Sequence, residues 1–128
     1  MIRLARLEDI PELILMVSAN TDTLLPRTVE SYSALLSTTY VAEVDGTIAG
    51  SCVLEVYSPK IAEIRTVVVR DEFRGKGIGT ALVKTAIDEA KRQQIYEIMV
   101  VTSNLPFFKS LDFGQCLNEK YALFLHGK

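Results

Sequence analysis

The sequence predicts an α/β fold of the mixed α+β kind: a central, mostly antiparallel sheet with helices on both faces. Three observations carry this. A run of β-branched segments is broken by an Asp-Gly turn, a strand-to-helix transition passes through a glycine-rich loop, and a long amphipathic helix is followed by another strand. The 128 residues, 48% hydrophobic and 23% charged, suit one globular domain spanning 1–128 with its own core.

The elements follow in order. Residues 2–4 form a short strand. Residues 8–19 place Ile10, Leu13, Ile14 and Val17 at helical spacing, with acidic residues in the first turn, where Pro11 is tolerated. Residues 20–27 are a polar loop broken at Leu24-Leu25-Pro26, and 28–36 a second helix capped by Thr28. Strands at 40–44 and 47–56 flank Asp45-Gly46, a strong hairpin signal. Residues 61–69 form the next strand, whose end, Val67-Val68-Val69, is apolar on both faces as in a covered central strand. A helix from Gly77 to about Gln93 is followed by a strand at 96–101 and a short helix at 106–111. Strands at 113–116 and 121–125 form a closing pair. The apolar segment from Tyr121 to Leu125 either completes the sheet internally or helps build a homodimer.

Several function classes are excluded. A formal net charge of -2 argues against wholesale binding of nucleic acid or anionic membrane. The longest apolar runs are too short to cross a bilayer, and Glu8, Asp9 and Pro11 interrupt any signal-peptide pattern. Cys52 and Cys116 form no C-x-x-C pair and His126 is the only histidine, which argues against a metal site or a Ser-His or Cys-His relay. The expected setting is cytoplasmic.

The most informative segment is Arg74-Gly75-Lys76-Gly77-Ile78-Gly79-Thr80, which leaves a strand and opens a helix. Glycines permit positive backbone angles and close approach, so that amides converge on an anion at the positive end of the helix. Arg74 and Lys76 add charge and Thr80 a hydroxyl. The P-loop pattern fails for want of a Lys-Ser or Lys-Thr pair. The dinucleotide fingerprint has different spacing and normally opens a parallel sheet, whereas an antiparallel meander precedes this loop.

These residues resemble the GNAT superfamily of N-acetyltransferases, whose pattern is a Leu/Val-x-Val strand end, four residues, then [RQ]-x-x-G-x-[GA]. Here it reads Val67-Val68-Val69, Arg70-Asp71-Glu72-Phe73, then Arg74-Gly75-Lys76-Gly77-Ile78-Gly79. Phe107-Phe108-Lys109-Ser110-Leu111-Asp112-Phe113 resembles the family's F-[YF]-x-x-x-G-F, with Asp112 in place of Gly. The resemblance implies acetyl-coenzyme A as cofactor. Its pyrophosphate would lie on Arg74, Gly75, Lys76, Gly77, Ile78, Gly79 and Thr80, and its pantetheine arm would pair with the backbone of Val67 and Val69. The Val67 N–H would face the thioester oxygen. Asn104 matches an asparagine that often touches the pantetheine, and also suits a helix cap.

Acetyl transfer to an amine needs a proton acceptor. Glu63 stands where some members place a general-base glutamate. A salt-bridged strand carboxylate is the alternative. The general-acid tyrosine of many members is Phe108 here. Asn104, Ser103 or a water takes that role, or a thiolate leaves without an acid; Tyr121 is an outside candidate.

Within the superfamily the chain is most similar to the acetyltransferase domain of the N-acetylglutamate synthases. The similarity lies in Leu24-Leu25-Pro26-Arg27-Thr28, Tyr40-Val41-Ala42-Glu43, Ala62-Glu63-Ile64-Arg65-Thr66-Val67 and the Phe107-Phe108 pair. It implies that Arg27 holds a substrate carboxylate, with Arg65 a second candidate cation. Near the C-terminus Asn118-Glu119-Lys120 replaces the arginine and serine of those enzymes, leaving Lys120 as the only mimic of the cation. The implied partner is a small amine acceptor, an amino acid such as glutamate. A protein or peptide acceptor and a non-catalytic acyl-coenzyme A sensor are the alternative readings.

Overall fold

The computed structural model describes residues 1–20, 24–114, 116–117, 120–121, 123–125 and 127; for 116–117 and 120–121 it describes the backbone only. Strand β1 (Ile2–Leu4) leads through a 3-10 turn into helix α1 (Ile10–Ser18), and α2 (Val29–Ala34) follows. Strands β2 (Thr39–Val44), β3 (Thr47–Ser58) and β4 (Ile61–Val69) form the meander. Helix α3 (Ile78–Arg92) crosses to β5 (Glu97–Met99), and α4 (Leu105–Lys109) comes next. A separate ribbon pairs β6 (Cys116–Leu117) with β7 (Lys120–Tyr121).

The sheet order is β1-β2-β3-β4-β5, antiparallel throughout except for the parallel β4–β5 pair. Local chemistry accounts for these elements. Asp45 and Gly46 take φ of 50° and 79°, the left-handed pair that a two-residue hairpin between right-twisted strands requires. Thr28 caps α2 by accepting a hydrogen bond from the Ser31 N–H at 3.1 Å. Pro11 sits in the first turn of α1, where its missing N–H costs nothing.

Two cores sandwich the sheet. On one face α3 and α4 bury Leu82, Val83, Ala86, Ala90 and Phe108 against Tyr40, Ala42, Cys52, Leu54, Ala62 and Ile64. On the other, α1 and α2 bury Leu13, Met16 and Tyr32 against Val41, Val53 and Val68. Strand alternation explains the division up to Ile64, because successive residues face opposite sides. Val68 breaks the parity: it is even-numbered like Ala62 and Ile64, yet it packs on the opposite face. The register explains why. Ser51 pairs with Val68 and Val53 with Arg65, so Cys52 alone opposes Thr66 and Val67. This is a β-bulge, and Thr66 at its centre has φ of 55°.

The structure corrects three sequence-based expectations. The strand expected at 96–101 is confined to Glu97–Met99, because β5 pairs with β4 only at Ile61, Ala62 and Glu63. Val67-Val68-Val69 is not covered on both sides: Val68 is buried, but Val67 and Val69 are half-buried along the open side of β4. The closing strands are shorter and displaced from 113–116 and 121–125, and among the described residues they pair only with each other. Residues 123–125 are exposed, with no strand partner described.

Gly50 lets β3 pack closely on β4 and α3. A Cβ there would lie 2.8 Å from the Val68 carbonyl oxygen and 3.2 Å from Leu82 Cδ1. Gly50→Ala is therefore expected to lower stability by about 1–3 kcal/mol through overpacking, read from the denaturant midpoint at constant m-value.

Candidate active site

Past Glu63, β4 and β5 part. The parallel register ends at the Glu63–Met99 pair, and no described strand bonds to β4 on that side from Ile64 to Val69. The resulting cleft, about 930 Å³, runs from Arg74, Gly75, Gly77, Ile78, Gly79 and Thr80 past Val67 and Val69 to Glu63, Arg65 and Arg27. It has two ends of different chemistry.

The first end is the glycine loop. Gly75 and Gly77 have φ of 77° and 79°, and Gly77 is the residue from which α3 starts. Those angles demand glycine for backbone reasons, since no atom lies within 4 Å of a Cβ built at either position. Gly79 carries no such demand: a Cβ there would lie at ordinary contact distance, 3.6 Å from both Phe107 Cζ and Val69 Cγ2. Helix α3 runs for 15 residues, so its N-terminal amides present a positive end to the cleft. The Arg74 Nε donates to the Val69 carbonyl at 3.3 Å and lies 3.2 Å from Asp71 Oδ1, while Arg74 Nη2 reaches Asn20 Oδ1 at 3.5 Å. The Arg74 side chain is more than half exposed. Lys76 does not itself line the cleft; its Nζ lies 5.5 Å from the centre of the ring of Phe73, which does.

The second end is charged and sheltered. Glu63 is nearly buried, its side chain 12% exposed. The Tyr57 hydroxyl donates to Glu63 Oε1 at 2.6 Å, and Arg65 Nε lies 3.9 Å from the same oxygen. Burial, with the adjoining Glu63 carboxylate, pushes the Tyr57 hydroxyl up to about 12, so it is a fixed donor at neutral pH. Arg65 Nη1 donates to Glu55 Oε1 at 2.8 Å, so its charge is already matched on the strand.

Arg27 differs. Its Nε donates to Thr66 Oγ1 at 2.7 Å and its Nη1 to Ser31 Oγ at 2.8 Å, both neutral acceptors. Its Nη2 is buried without a hydrogen-bond partner. Burial, and then the nearby Arg65 cation, hold the Arg27 guanidinium below its usual range. The guanidinium is half-buried over the Tyr32 ring, 5.6 Å from its centroid, and makes no ion pair with a described carboxylate.

A family model for the acetyltransferase (GNAT) family matches residues 8–113. The chain belongs to this family. An uncharacterized N-acetyltransferase of Chlorobaculum tepidum is 35% identical over 98 residues, covering 77% of this chain and 63% of that protein, so the match spans less than two thirds of the relative. Among solved structures, Rv2747 from Mycobacterium tuberculosis in complex with CoA and NLQ is 28% identical with a TM-score of 0.86, over 91% of this chain and 73% of that one. N-acetylglutamate synthase from Neisseria gonorrhoeae, complexed with coenzyme A and N-acetyl-glutamate, shares the fold at 23% identity. Its TM-score is 0.79, over 88% of this chain and 27% of that one.

Seen as a GNAT fold, the cleft gathers most residues singled out in the sequence: Arg27, Glu63, Arg65, Val67, Val69, Arg74, Gly75, Gly77, Ile78, Gly79, Thr80 and Asn104. Asn104 also caps α4, its Oδ1 accepting from the Phe107 N–H at 3.4 Å. Phe108 is buried edge-on to Phe107 and Phe113, ring centres 4.9 and 5.5 Å away, and supplies no proton donor. The Lys120 and Tyr121 side chains lie outside the described residues. Cys52 is fully buried, and burial pushes its thiol up to about 12, which removes it as a nucleophile.

Sequence reasoning missed Tyr57, Ser31 and Thr66. The hairpin offered a signal for Tyr57, since pairing Val56 with Ala62 brings residue 57 towards Glu63. Ser31 stands one helical turn from Arg27. Nothing in the letters marks Thr66. Gly77→Ala is expected to destabilise the protein by about 1–2 kcal/mol, the cost of a left-handed conformation for a residue with a Cβ. Chemical denaturation measures it.

Proposed function

We propose that the chain, read over 1–128 as one acetyltransferase domain, transfers an acetyl group from acetyl-CoA to the α-amine of a small amino acid, glutamate being the first candidate. The single observation that carries the acceptor class is the Arg27 guanidinium, held by two neutral hydroxyls and by no described carboxylate, in the same cleft as Glu63. An amino acid offers a carboxylate to the first and an ammonium to the second, and one side chain cannot serve both ends. The expected setting is the cytoplasm; no described helix is long and apolar enough to cross a membrane.

The glycine loop fits the donor's pyrophosphate. Gly75 and Gly77 free the backbone to turn, and α3 contributes its positive end. Arg74 adds a flexible cation, and the open side of β4 at Val67 and Val69 offers backbone groups to an extended arm. When bound, acetyl-CoA supplies an activated acyl group on a thiolate leaving group.

The chain's own residues then do three things. Arg27 anchors the acceptor carboxylate by a charge-assisted bond. Glu63 takes a proton from the ammonium, which is mostly protonated at neutral pH. Tyr57 holds Glu63 in place by its 2.6 Å hydrogen bond. The Val67 N–H is the donor assigned to the thioester oxygen. With Phe108 in place of a tyrosine, this scheme gives no phenol to the departing thiolate, whose low basicity makes a protein acid dispensable.

The test is a screen of amino acids that follows thiol release from acetyl-CoA. Turnover with at least one free amino acid is expected, and turnover confined to peptides would overturn the acceptor class. Glu63→Gln should lower kcat about 100-fold or more while binding the donor normally; unchanged turnover would remove Glu63 from the reaction. Arg74→Ala should raise the KM for acetyl-CoA several-fold, about the worth of one exposed charge-assisted phosphate contact, and leave the acceptor KM unmoved.

A further inference from the structure

We infer that Thr66 is a positioning residue for the acceptor: its hydroxyl fixes the guanidinium of Arg27 in the cleft, where it meets the carboxylate. This rests on the reading that Arg27 holds that carboxylate. Thr66 is β-branched yet adopts φ of 55°, a left-handed conformation that β-branched residues rarely accept. Such strain persists only where the surroundings hold it, and it gathers at functional sites. Glycine would relieve the backbone at this position, but glycine has no hydroxyl. The hydroxyl is engaged, accepting from Arg27 Nε at 2.7 Å across 39 residues of sequence.

The arrangement is specific in what it leaves undone. Thr66 takes the Nε of Arg27 and Ser31 its Nη1, the guanidinium lies over the Tyr32 ring at 5.6 Å, and no described carboxylate pairs with it. A long arginine side chain loses considerable rotamer freedom when it is fixed. Two neutral hydroxyls impose that order before a ligand arrives, without neutralising the charge the ligand needs. Arg65 shows the contrasting treatment, because Glu55 matches its charge directly. The bulge brings Thr66 into this role: it inserts the extra residue between Arg65, on the acceptor side of β4, and Val68, which packs against Tyr32 and α1.

A double-mutant cycle on the purified protein tests the inference, with the free amino acid of highest turnover in the screen as acceptor. Thr66→Val keeps shape and branching while removing the hydroxyl, and should raise the acceptor KM about tenfold, a usual worth for a hydrogen bond to a charged group. The acetyl-CoA KM and kcat should stay within about twofold, and Thr66→Ser should recover most of the loss. Thr66→Gly, which suits the positive φ, should behave like Thr66→Val and serves if the latter does not fold. In an Arg27→Gln background, removing the hydroxyl should cost nothing further, since Thr66 acts through Arg27. Additive losses, no rescue by serine, or an equal rise in the acetyl-CoA KM would overturn the inference and leave Thr66 a residue of the fold. If Arg27→Gln raises the acceptor KM while Thr66→Val does not, only this inference falls. If Arg27→Gln is silent, or no amino acid is acetylated, the carboxylate reading falls and this inference with it.

Discussion

Everything in the cleft depends on one extra residue in β4. Opposite Cys52 the strand carries both Thr66 and Val67, and from there its side chains change faces. Before the bulge, Ala62 and Ile64 pack under α3; after it, Val68 packs under α1 and α2. Because strand side chains alternate strictly, an inserted residue is the economical way to turn Val67 and Val69 towards the opening while keeping Val68 in a core. β5 follows β4 for only three residues, so the open side of the same strand lines the cleft from Glu63 to Val69. Glu63 and Arg65, the open strand side and the glycine loop are thus consecutive stations on one strand and the turn that follows it.

The glycine loop completes this geometry for a different reason. Gly75 and Gly77 are required by backbone angle, whereas a Cβ at Gly79 would make ordinary contacts with Phe107 and Val69. The first two shape the turn that brings α3 over the end of β4. Buried aromatic packing of Phe108 against Phe107 and Phe113 then forms the far wall. A polar ring at position 108 would need a hydrogen-bond partner in that wall; the phenyl ring needs none.

Much of this was legible in the letters. The meander, the Asp45-Gly46 turn, the Thr28 cap and the long helix after the glycines follow from local rules, and the structure places them within a residue or two. The cleft residues were legible because glycine spacing and isolated charges leave signals that survive without neighbours. The bulge left none: Thr66, Val67, Val68 and Val69 are all good strand formers, so a one-residue register shift does not disturb composition. Its consequences were hidden with it, namely the half-buried state of Val67 and Val69 and the bond from Thr66 to Arg27. The shortness of β5 was illegible for a related reason, since Tyr96 to Val101 reads as strand and only three-dimensional divergence from β4 ends the pairing. Arg27 and Arg65 also look alike in sequence, and only partners across the sheet distinguish the matched charge from the unmatched one.

The Tyr57 hydrogen bond gives Glu63 a handedness. A carboxylate has two oxygens, and here Oε1 is occupied by a phenol and faces the Arg65 guanidinium. Oε2 is therefore the oxygen left for a reactant in this arrangement. In the proposed reaction, a base held this way would receive its proton mainly on that side. Selection then begins with the trajectory of the incoming nitrogen, before its basicity or the size of the group behind it has any bearing.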